Sequence, residues 1–544
     1  MKRVVMLLMA LSMTVPLFAQ SSSITIEVDA SKPGSPIRDL TGVNKKPTFV
    51  AESKGPTLNG AALYPQFGVT QVRLHDSGID VCATYKAGTS VNAGVSPAQT
   101  VAGCYLAGGS GGGAHLKWTP NSSADADLNN PNNYDFTTVD QTLSATIATG
   151  AAVYLRLGES FNGPNDTGDP VAWAKVATNI YKHIIGVFKP TAGIAVTPAF
   201  VEVFNEPDGQ FWQGDTAVFD TLFVETVTRV RAAAAAAKKT VVIGGPGFTK
   251  DVLQKAKADD NPANGFIAAV GASNLDFFSA HLYSQCAQTT IQTPANWLRS
   301  LRALVDKLGG QDKPIHITEW NIGLGEQCTD TQFADQRMQS YTSAVLTFMQ
   351  DPAQNIQAAH FYSAMPLMAL FDFLSVDGAV RINPSAWAFW AHAHLAGGDL
   401  LDTSVCPTSR TCVAGYASET ASLQALATKT PSSNASATTS TTTPSQQVVV
   451  TNDSANSVTY TLRFKGLTSA LVTATILTPP SGTRDVPTQG TTTITADSAA
   501  VTALLNSVST DVRSRLQVSG GQVELQLTLP ARTVQVVQVR ATSL

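Results

Sequence analysis

The sequence predicts an α/β protein, a (β/α)8 TIM barrel with an accessory antiparallel β-sandwich domain. Three observations predict this fold. Between residues 31 and 395, short apolar runs alternate with helix-like stretches, which is the pattern of parallel strands joined by helices. From residue 396 to 544, alternating runs rich in Thr, Ser and Val replace the helical periodicity, as is typical of a sandwich. A length of 544 residues also exceeds one ordinary core.

Eight apolar runs are the candidate barrel strands, numbered here in chain order: Leu40–Asn44, Thr70–His75, Ala152–Leu157, Phe200–Phe204, Val241–Gly244, Phe277–Leu282, Ile315–Glu319 and Ile356–Tyr362. The stretches between them that favour helices include Val171–Phe188, Asp220–Lys239, Trp297–Leu308 and Thr331–Met349. Eight strands alternating with helices predict a closed barrel, and its active site is expected where the carboxyl ends of the strands meet.

The amino terminus has the pattern of an export signal. Met1-Lys2-Arg3 precedes an apolar stretch, and Ala19 is a small residue at the expected cleavage point, so residues 1–19 are predicted to be a signal peptide. The alternative is a membrane anchor, for which the run is short. The next segment, residues 20–30, alternates at Ile24, Ile26 and Val28 and is assigned to the sandwich together with residues 396–544.

Composition limits the classes of partner. A net charge of −4 indicates neither the basic surface of a nucleic-acid-binding protein nor a polybasic patch for a membrane. We therefore expect the protein to bind no nucleic acid, and no membrane after signal cleavage. Six cysteines suit an exported protein, in the periplasm or outside the cell. The loops after strands 6 and 7 should lie side by side, which predicts a Cys286–Cys328 bridge. This pairing is a hypothesis, since six cysteines allow 15 connectivities. Cys82 and Cys104 lie in the long segment after strand 2, and Cys406 and Cys412 bracket a short loop at the start of the sandwich.

Two glutamates are the strongest candidates for catalysis. Glu206 lies in Phe204-Asn205-Glu206-Pro207 after strand 4, and Glu319 ends strand 7. Two carboxylates on one face of a barrel are what cleavage of a glycosidic bond requires. For Glu206 the alternative is a helix start, with Asn205 as N-cap and Pro207 in the first turn. For Glu319 the alternative is a structural ion pair, for example with Arg73.

Further polar residues end strands 2 and 6. Arg73 and His75 share one side of strand 2, and His281 and Tyr283 share one side of strand 6, where they could orient a nucleophilic carboxylate. Their alternatives are a structural ion pair and ordinary barrel filling. Neither the glycine-rich segment Gly109–Ala114 nor the pair His392 and His394 has the context of a nucleotide or metal site, so no metal or organic cofactor is expected.

These motifs resemble those of clan A glycoside hydrolases, and most those of glycoside hydrolase family 39, which holds β-xylosidases and α-L-iduronidases. The matching elements are Val72–His75, Glu202–Asp208, His281–Tyr283 and Thr318–Trp320. The resemblance implies a barrel with a packed β-sandwich, Glu206 as general acid/base, Glu319 as nucleophile, retention at the anomeric carbon, and Asn205 holding a sugar hydroxyl. At the end of strand 8, where many clan members carry Trp, this chain has Tyr362.

The sequence thus predicts an exported retaining glycoside hydrolase, β-xylosidase-like, acting on an oligosaccharide, polysaccharide or glycoside. Arg73, His75, His281, Tyr283 and Trp320 join Asn205 as expected substrate-binding residues. Two alternatives stay open, a catalytically silent carbohydrate-binding protein on the same scaffold and a transglycosylase.

Overall fold

The computed structural model describes residues 24–50, 57–74, 129, 131, 136–158, 170–209, 211–212, 214–255, 259–287, 290–323, 328–365, 369–373, 379–408, 411–417, 422–430, 445–480, 492–495 and 498–542. The predicted signal peptide, His75, Cys82, Cys104 and the glycine-rich segment lie outside these residues. No helix within the described ranges is both long enough and apolar enough to cross a membrane.

Eight parallel strands close into a barrel, and each strand pairs with its neighbours in chain order. Barrel strands 1 to 8 are Gly42–Asn44, Gln71–Arg73, Ala152–Leu157, Phe200–Val203, Ile243–Phe248, Phe278–Ser284, Ile315–Ile322 and Ile356–Phe361. Each overlaps a strand predicted from an apolar run, so the barrel prediction is confirmed. A small hairpin, Thr48–Val50 with Thr57–Asn59, follows strand 1.

Helices cover the outside of the barrel. The α-helices are Leu63–Gln66, Thr137–Ile147, Pro170–Ile184, Thr216–Ala236, Asp251–Gln254, Phe266–Val270, Gln292–Lys307, Asp330–Phe333, Arg337–Met349, Pro384–Ala393 and Ser498–Asn506, with short 3-10 turns at Ala272–Asn274, Pro352–Gln354 and Gly415–Ala417. Helix Gln292–Lys307 shows why they pack, since Leu298, Leu301 and Val305 recur at helical spacing and are all buried.

Aromatic and imidazole rings fill the lower barrel. Phe277 stacks on His316 at 3.8 Å between ring centroids, and the Tyr154 hydroxyl lies 3.0 Å from His316 Nδ1. Burial lowers the pKa of His316 to about 3, so its ring is neutral at ordinary pH. These rings pack the amino-terminal part of the barrel interior, below the polar side chains described next.

Ten further strands form one sheet. Its order is Ser509–Gln517, Leu471–Thr478, Thr533–Ala541, Ser445–Asn452, Leu423–Thr430, Asp399–Pro407, Ile24–Pro36, Val458–Lys465 and Val523–Leu529, with Val413–Ala414 paired to Asp399–Pro407. The pairs are antiparallel except Ile24–Pro36 with Val458–Lys465, which is parallel. Strands near the two edges of this sheet contribute side chains to one buried core, for example Ile476 from Leu471–Thr478 and Leu525 from Val523–Leu529. The sheet therefore folds over itself, and the predicted accessory antiparallel layer is present.

One part of the carboxyl-terminal region differs from the prediction. Residues 396 onward were expected to lack helices, yet Ser498–Asn506 is helical. The strand before it, Thr492–Thr495, pairs with Ala379–Ile382, which in turn pairs with Phe371–Phe373. Val501 and Leu504 pack into the barrel core, so this helix covers the barrel rather than the large sheet.

Two disulfides join the described cysteines. Cys286 bonds Cys328, which confirms the bridge predicted between the loops after strands 6 and 7, and Cys406 bonds Cys412. In the chain-entropy account, a bridge stabilises a protein mainly by restricting its unfolded chain, so the longer loop gives the larger effect.

Loss of the Cys286–Cys328 bridge is therefore expected to lower stability more than loss of the other bridge. The first closes a separation of 42 residues and the second one of 6. The chain-entropy relation gives about 4 kcal/mol and about 2 kcal/mol respectively. Thermal or urea unfolding of Cys286→Ser/Cys328→Ser beside the matched control Cys406→Ser/Cys412→Ser checks the ranking. A larger loss in the control pair would contradict it.

Candidate active site

Polar side chains from barrel strands 2, 4, 6 and 7 meet at the carboxyl-end mouth of the barrel. Arg73 comes from strand 2, Glu206 follows strand 4, His281 and Tyr283 come from strand 6, and Glu319 comes from strand 7. One ligand atom each from Glu206, His281 and Glu319 all lie within 4.8 Å of one another. The two glutamates singled out by sequence therefore share one site.

Glu319 is buried and held on both carboxylate oxygens. Arg73 Nη1 donates to Oε1 at 2.9 Å, and the Tyr283 hydroxyl donates to Oε2 at 2.6 Å. Burial and the charge of Glu319 raise the pKa of Tyr283 well above its ordinary value, so this hydroxyl keeps the proton that it donates. A cation and a neutral donor both favour the ionised form of Glu319. The ion pair of Glu319 with Arg73, which the sequence offered as an alternative to a catalytic role, is thus present within the candidate site.

A bulge in strand 7 decides which residues face the barrel interior. Strand 6 pairs Ala280 with Ile317 and the next residue, His281, with Glu319, so Thr318 is an extra residue on strand 7. The ring of His316 lies inside the barrel, and strict alternation from it would have sent Thr318 inward. The bulge instead turns Glu319 inward.

Trp320 consequently lies away from the site. Its ring packs on Phe361 and Phe389, the latter on helix Pro384–Ala393, at 5.0 and 6.5 Å between centroids. The prediction that Trp320 binds substrate is wrong, because its side chain fills the layer between the barrel and the helices.

Glu206 sits on a turn with an unusual backbone. Its φ of 46° is left-handed, a conformation that costs energy for a residue with a side chain, and Phe204 before it has φ 78°. The Glu206 N–H donates to Gly247 O at 2.8 Å, which holds the turn. The alternative of a helix beginning at Pro207 is wrong, since the helix that follows starts at Thr216, after the cap Asp215.

His281 links the two carboxylates. Its Nδ1 lies 2.7 Å from Glu206 Oε1 and 3.6 Å from Glu319 Oε2. Burial opposes the charged ring, but the negative charges of Glu319 and Glu206 outweigh burial and raise the pKa of His281. A protonated His281 can therefore donate from Nδ1 to Glu206 Oε1.

Arg73 lies at the centre of the hydrogen-bonded cluster and donates to several of its side chains. It is fully buried, and its Nη2 donates to Asn205 Oδ1 at 2.7 Å. This bond fixes the amide of Asn205, so that its NH2 is the end left to donate elsewhere. Arg73 Nη1 also donates to Asn44 Oδ1 at 3.0 Å, and Asn44 Nδ2 donates to Thr318 O at the bulge.

The rim of the mouth is aromatic and basic. Tyr362, which follows strand 8, lies with its ring centroid 6.3 Å from that of Tyr283, and Lys45 Nζ lies 5.3 Å from the Tyr362 ring. Tyr362 therefore stands at the end of strand 8, the position at which the family resemblance led us to expect a Trp. His75, predicted to share one side of strand 2 with Arg73 and to bind substrate, lies outside the described residues.

Sequence reasoning missed three residues of the cluster, Asn44, Glu202 and Ser279. Glu202 Oε2 accepts from Arg73 Nε at 2.7 Å, and Glu202 Oε1 accepts from Ser279 Oγ at 2.6 Å. A signal was present, since a Glu inside the apolar run Phe200–Val203 requires a buried partner. A metal ion could also bind here, since the side chains of Glu206, His281 and Glu319 are of types that bind metals. Hydrogen bonds already account for their positions, between His281 and Glu206 and from Arg73 and Tyr283 to Glu319.

Comparison with known proteins agrees with this geometry. The family model "Cellulase (glycosyl hydrolase family 5)" matches residues 197–361, a segment that contains both Glu206 and Glu319. No curated protein matches the chain. The barrel is thus a glycoside hydrolase domain of clan A.

Solved structures share the fold across nearly the whole chain. A glucosidase from Croceicoccus marinus has 16% identity and a TM-score of 0.64, covering 96% of this chain and 100% of its own. An α-L-arabinofuranosidase from Thermotoga maritima has 14% identity and a TM-score of 0.60, with 95% and 100% covered. A monomeric β-xylosidase from Caulobacter crescentus has 14% identity and a TM-score of 0.56, with 95% and 100% covered. At these identities the likeness establishes the fold.

Proposed function

We propose that this clan A glycoside hydrolase cleaves its substrate by double displacement, with Glu319 as nucleophile and Glu206 as general acid and base. The observation that carries the proposal is the distance between the two acids, since a carboxylate oxygen of each lies within 4.8 Å of the other. Retaining enzymes hold their carboxyl groups about 5–5.5 Å apart, whereas inverting enzymes need about 6.5–9.5 Å to fit a water between them.

The surroundings of each acid support its role. Glu319 has only 5% of its side chain exposed and accepts from Arg73 and Tyr283, which suits an ionised group that attacks the anomeric carbon. Glu206 has 20% of its side chain exposed and faces the open mouth, where it can deliver a proton to the leaving group. His281 then stands beside the Glu206 carboxylate while that residue takes a proton from the incoming water.

The substrate we propose is a β-xyloside or a related glycoside. The motifs resemble family 39, and the fold is shared with the β-xylosidase and the α-L-arabinofuranosidase named above. Asn205 adjoins Glu206 in the chain and its amide oxygen accepts from Arg73, so in this proposal its NH2 donates to a sugar hydroxyl. Export is part of the proposal, because the amino-terminal pattern and the two disulfides both suit an oxidising compartment.

Hydrolysis of aryl glycosides tests the proposal. Among an aryl β-xyloside, β-glucoside, α-arabinoside and α-iduronide, the β-xyloside is expected to give the highest kcat/KM. Proton NMR of the early reaction is expected to show a first product that keeps the anomeric configuration of the substrate, because the short separation of Glu206 and Glu319 is that of a retaining pair. An inverted first product would contradict double displacement, and no hydrolysis of any glycoside would leave a carbohydrate-binding role.

A further inference from the structure

Glu202 is a fully buried acid in the barrel interior, four positions before Glu206 on strand 4. It has no access to a substrate. Both of its oxygens are engaged, Oε2 by Arg73 and Oε1 by Ser279. A buried carboxylate is retained only where its partners compensate its desolvation, so these two contacts define what Glu202 does.

The first contact fixes Arg73. A guanidinium is planar, so a bond to Nε at 2.7 Å sets the plane in which the two terminal nitrogens lie. In that plane Nη1 meets Glu319 Oε1 at 2.9 Å and Nη2 meets Asn205 Oδ1 at 2.7 Å. Glu202 thereby determines where Arg73 presents its donors to the nucleophile.

The second contact reaches the acid/base. Ser279 Oγ donates to Glu202 and accepts from Gly247 N at 2.7 Å, and Gly247 O accepts from Glu206 N at 2.8 Å. Gly247 has φ 67°, and a Cβ on it would lie 3.0 Å from Glu202 Oε1, so glycine permits this close approach. An unbroken series of hydrogen bonds therefore runs from the Glu319 carboxylate to the strained backbone of Glu206.

Charge gives Glu202 a second effect. Burial opposes its ionisation, but the charge of Arg73 and the bond from Ser279 outweigh burial and lower the pKa of Glu202. Arg73 thus lies between two negative charges, Glu202 and Glu319. Each carboxylate weakens the electrostatic stabilisation that the guanidinium gives to the other. The titratable or charged groups around the two acids are Arg73, Tyr154, His281 and His316 for Glu202, and Arg73, His281, Tyr283 and Glu206 for Glu319.

We propose that Glu202 is a positioning residue that sets both acids at once. It orients Arg73 toward Glu319, and it holds the Glu206 turn through Ser279 and Gly247. Because the negative charge of Glu202 also interacts with the Arg73 guanidinium, the carboxylate of Glu319 is stabilised less and stays basic enough to attack the anomeric carbon. The inference rests on the proposed function, since it assigns the two acids their roles.

Glu202→Gln removes the charge and keeps the shape. We expect kcat/KM to fall about 100-fold, the scale for a misplaced reacting group, with KM changed much less. Arg73 would then act on Glu319 alone and favour its ionised form, so the acidic limb of the pH profile of kcat/KM is expected to move to lower pH. A residue with a merely structural role would lower the amount of folded protein and leave this limb in place.

Two companion variants separate charge from geometry. Glu202→Asp keeps the charge on a shorter side chain. It should have a lowered kcat/KM, and the acidic limb of its pH profile should lie near that of the wild type. Ser279→Ala keeps the pair of Glu202 with Arg73, and it should also slow turnover without moving the limb. Circular dichroism and thermal unfolding establish that each variant is folded, and if Glu202→Gln does not fold, the other two carry the test.

The outcomes are distinguishable. A folded Glu202→Gln with wild-type rate and limb would overturn the proposal, as would equal shifts of the limb in the Gln and Asp variants. In both cases an active wild-type enzyme leaves the proposed function intact. Failure of the wild type on every glycoside would instead refute the proposed function itself.

Discussion

Glu319→Ala is expected to abolish hydrolysis of every glycoside that the wild type cleaves. Without the carboxylate no covalent glycosyl-enzyme can form, and kcat should fall by a factor of about 10⁵ or more, the scale seen when an enzyme loses its nucleophile. Substrate binding should persist, because Asn205 remains fixed by Arg73. Steady-state kinetics with an aryl β-xyloside measures the loss.

The chain offers a matched control for this variant. Glu225 pairs with Arg229 on helix Thr216–Ala236, where about a third of each side chain is exposed. Glu225→Ala removes the same side chain and should leave kcat near the wild-type value. Azide added to Glu319→Ala should occupy the space of the lost carboxylate and give a glycosyl azide of inverted configuration. Retention of a tenth of wild-type activity by Glu319→Ala would rule it out as the nucleophile.

Glu206→Ala is expected to behave differently from Glu319→Ala, because only the proton transfers are lost. With a poor leaving group, kcat/KM should fall by about 10²–10⁴, the usual contribution of general acid catalysis. A dinitrophenolate departs without protonation, so formation of the glycosyl-enzyme should survive. The slow step then becomes attack by water that has no base to activate it.

Azide distinguishes the two roles in Glu206→Ala. As an anion it attacks the glycosyl-enzyme without needing a base, so it should accelerate turnover and give a glycosyl azide of retained configuration. Product NMR reads the configuration directly. An inverted azide from Glu206→Ala would mean that Glu206 and Glu319 have exchanged roles, and azide without effect on it would remove Glu206 as the base.

Some features of the site followed from local sequence. The eight strands were predictable because buried parallel strands are short, continuous apolar runs, and each of those runs is a strand of the barrel. Their ends lie on one face by the handedness and order of the fold, so Glu206 and Glu319 were expected together. The Cys286–Cys328 bridge followed for the same reason, since adjacent strands place their loops side by side.

Other features depended on partners far away in the chain. Glu202 is 129 residues from Arg73 and 77 from Ser279, and no local pattern links them. Trp320 was expected at the site as part of the motif Thr318–Trp320. The direction of its side chain depends on the bulge at Thr318, which arises from pairing with strand 6. The helix Ser498–Asn506 was not predicted, and the barrel core on which it packs is far from it in the chain.

The sequence by itself therefore determined the barrel, the accessory antiparallel layer and the two acids at strand ends, because burial and strand order follow from the spacing of apolar residues. Only the tertiary structure decided which side of strand 7 faces inward and which buried charges meet. Hydrogen bonds of 2.6 to 2.9 Å join Glu202 to Ser279, Arg73 to Glu202 and Arg73 to Glu319. Contacts of that length depend on register and closure of the whole barrel, which no single segment specifies.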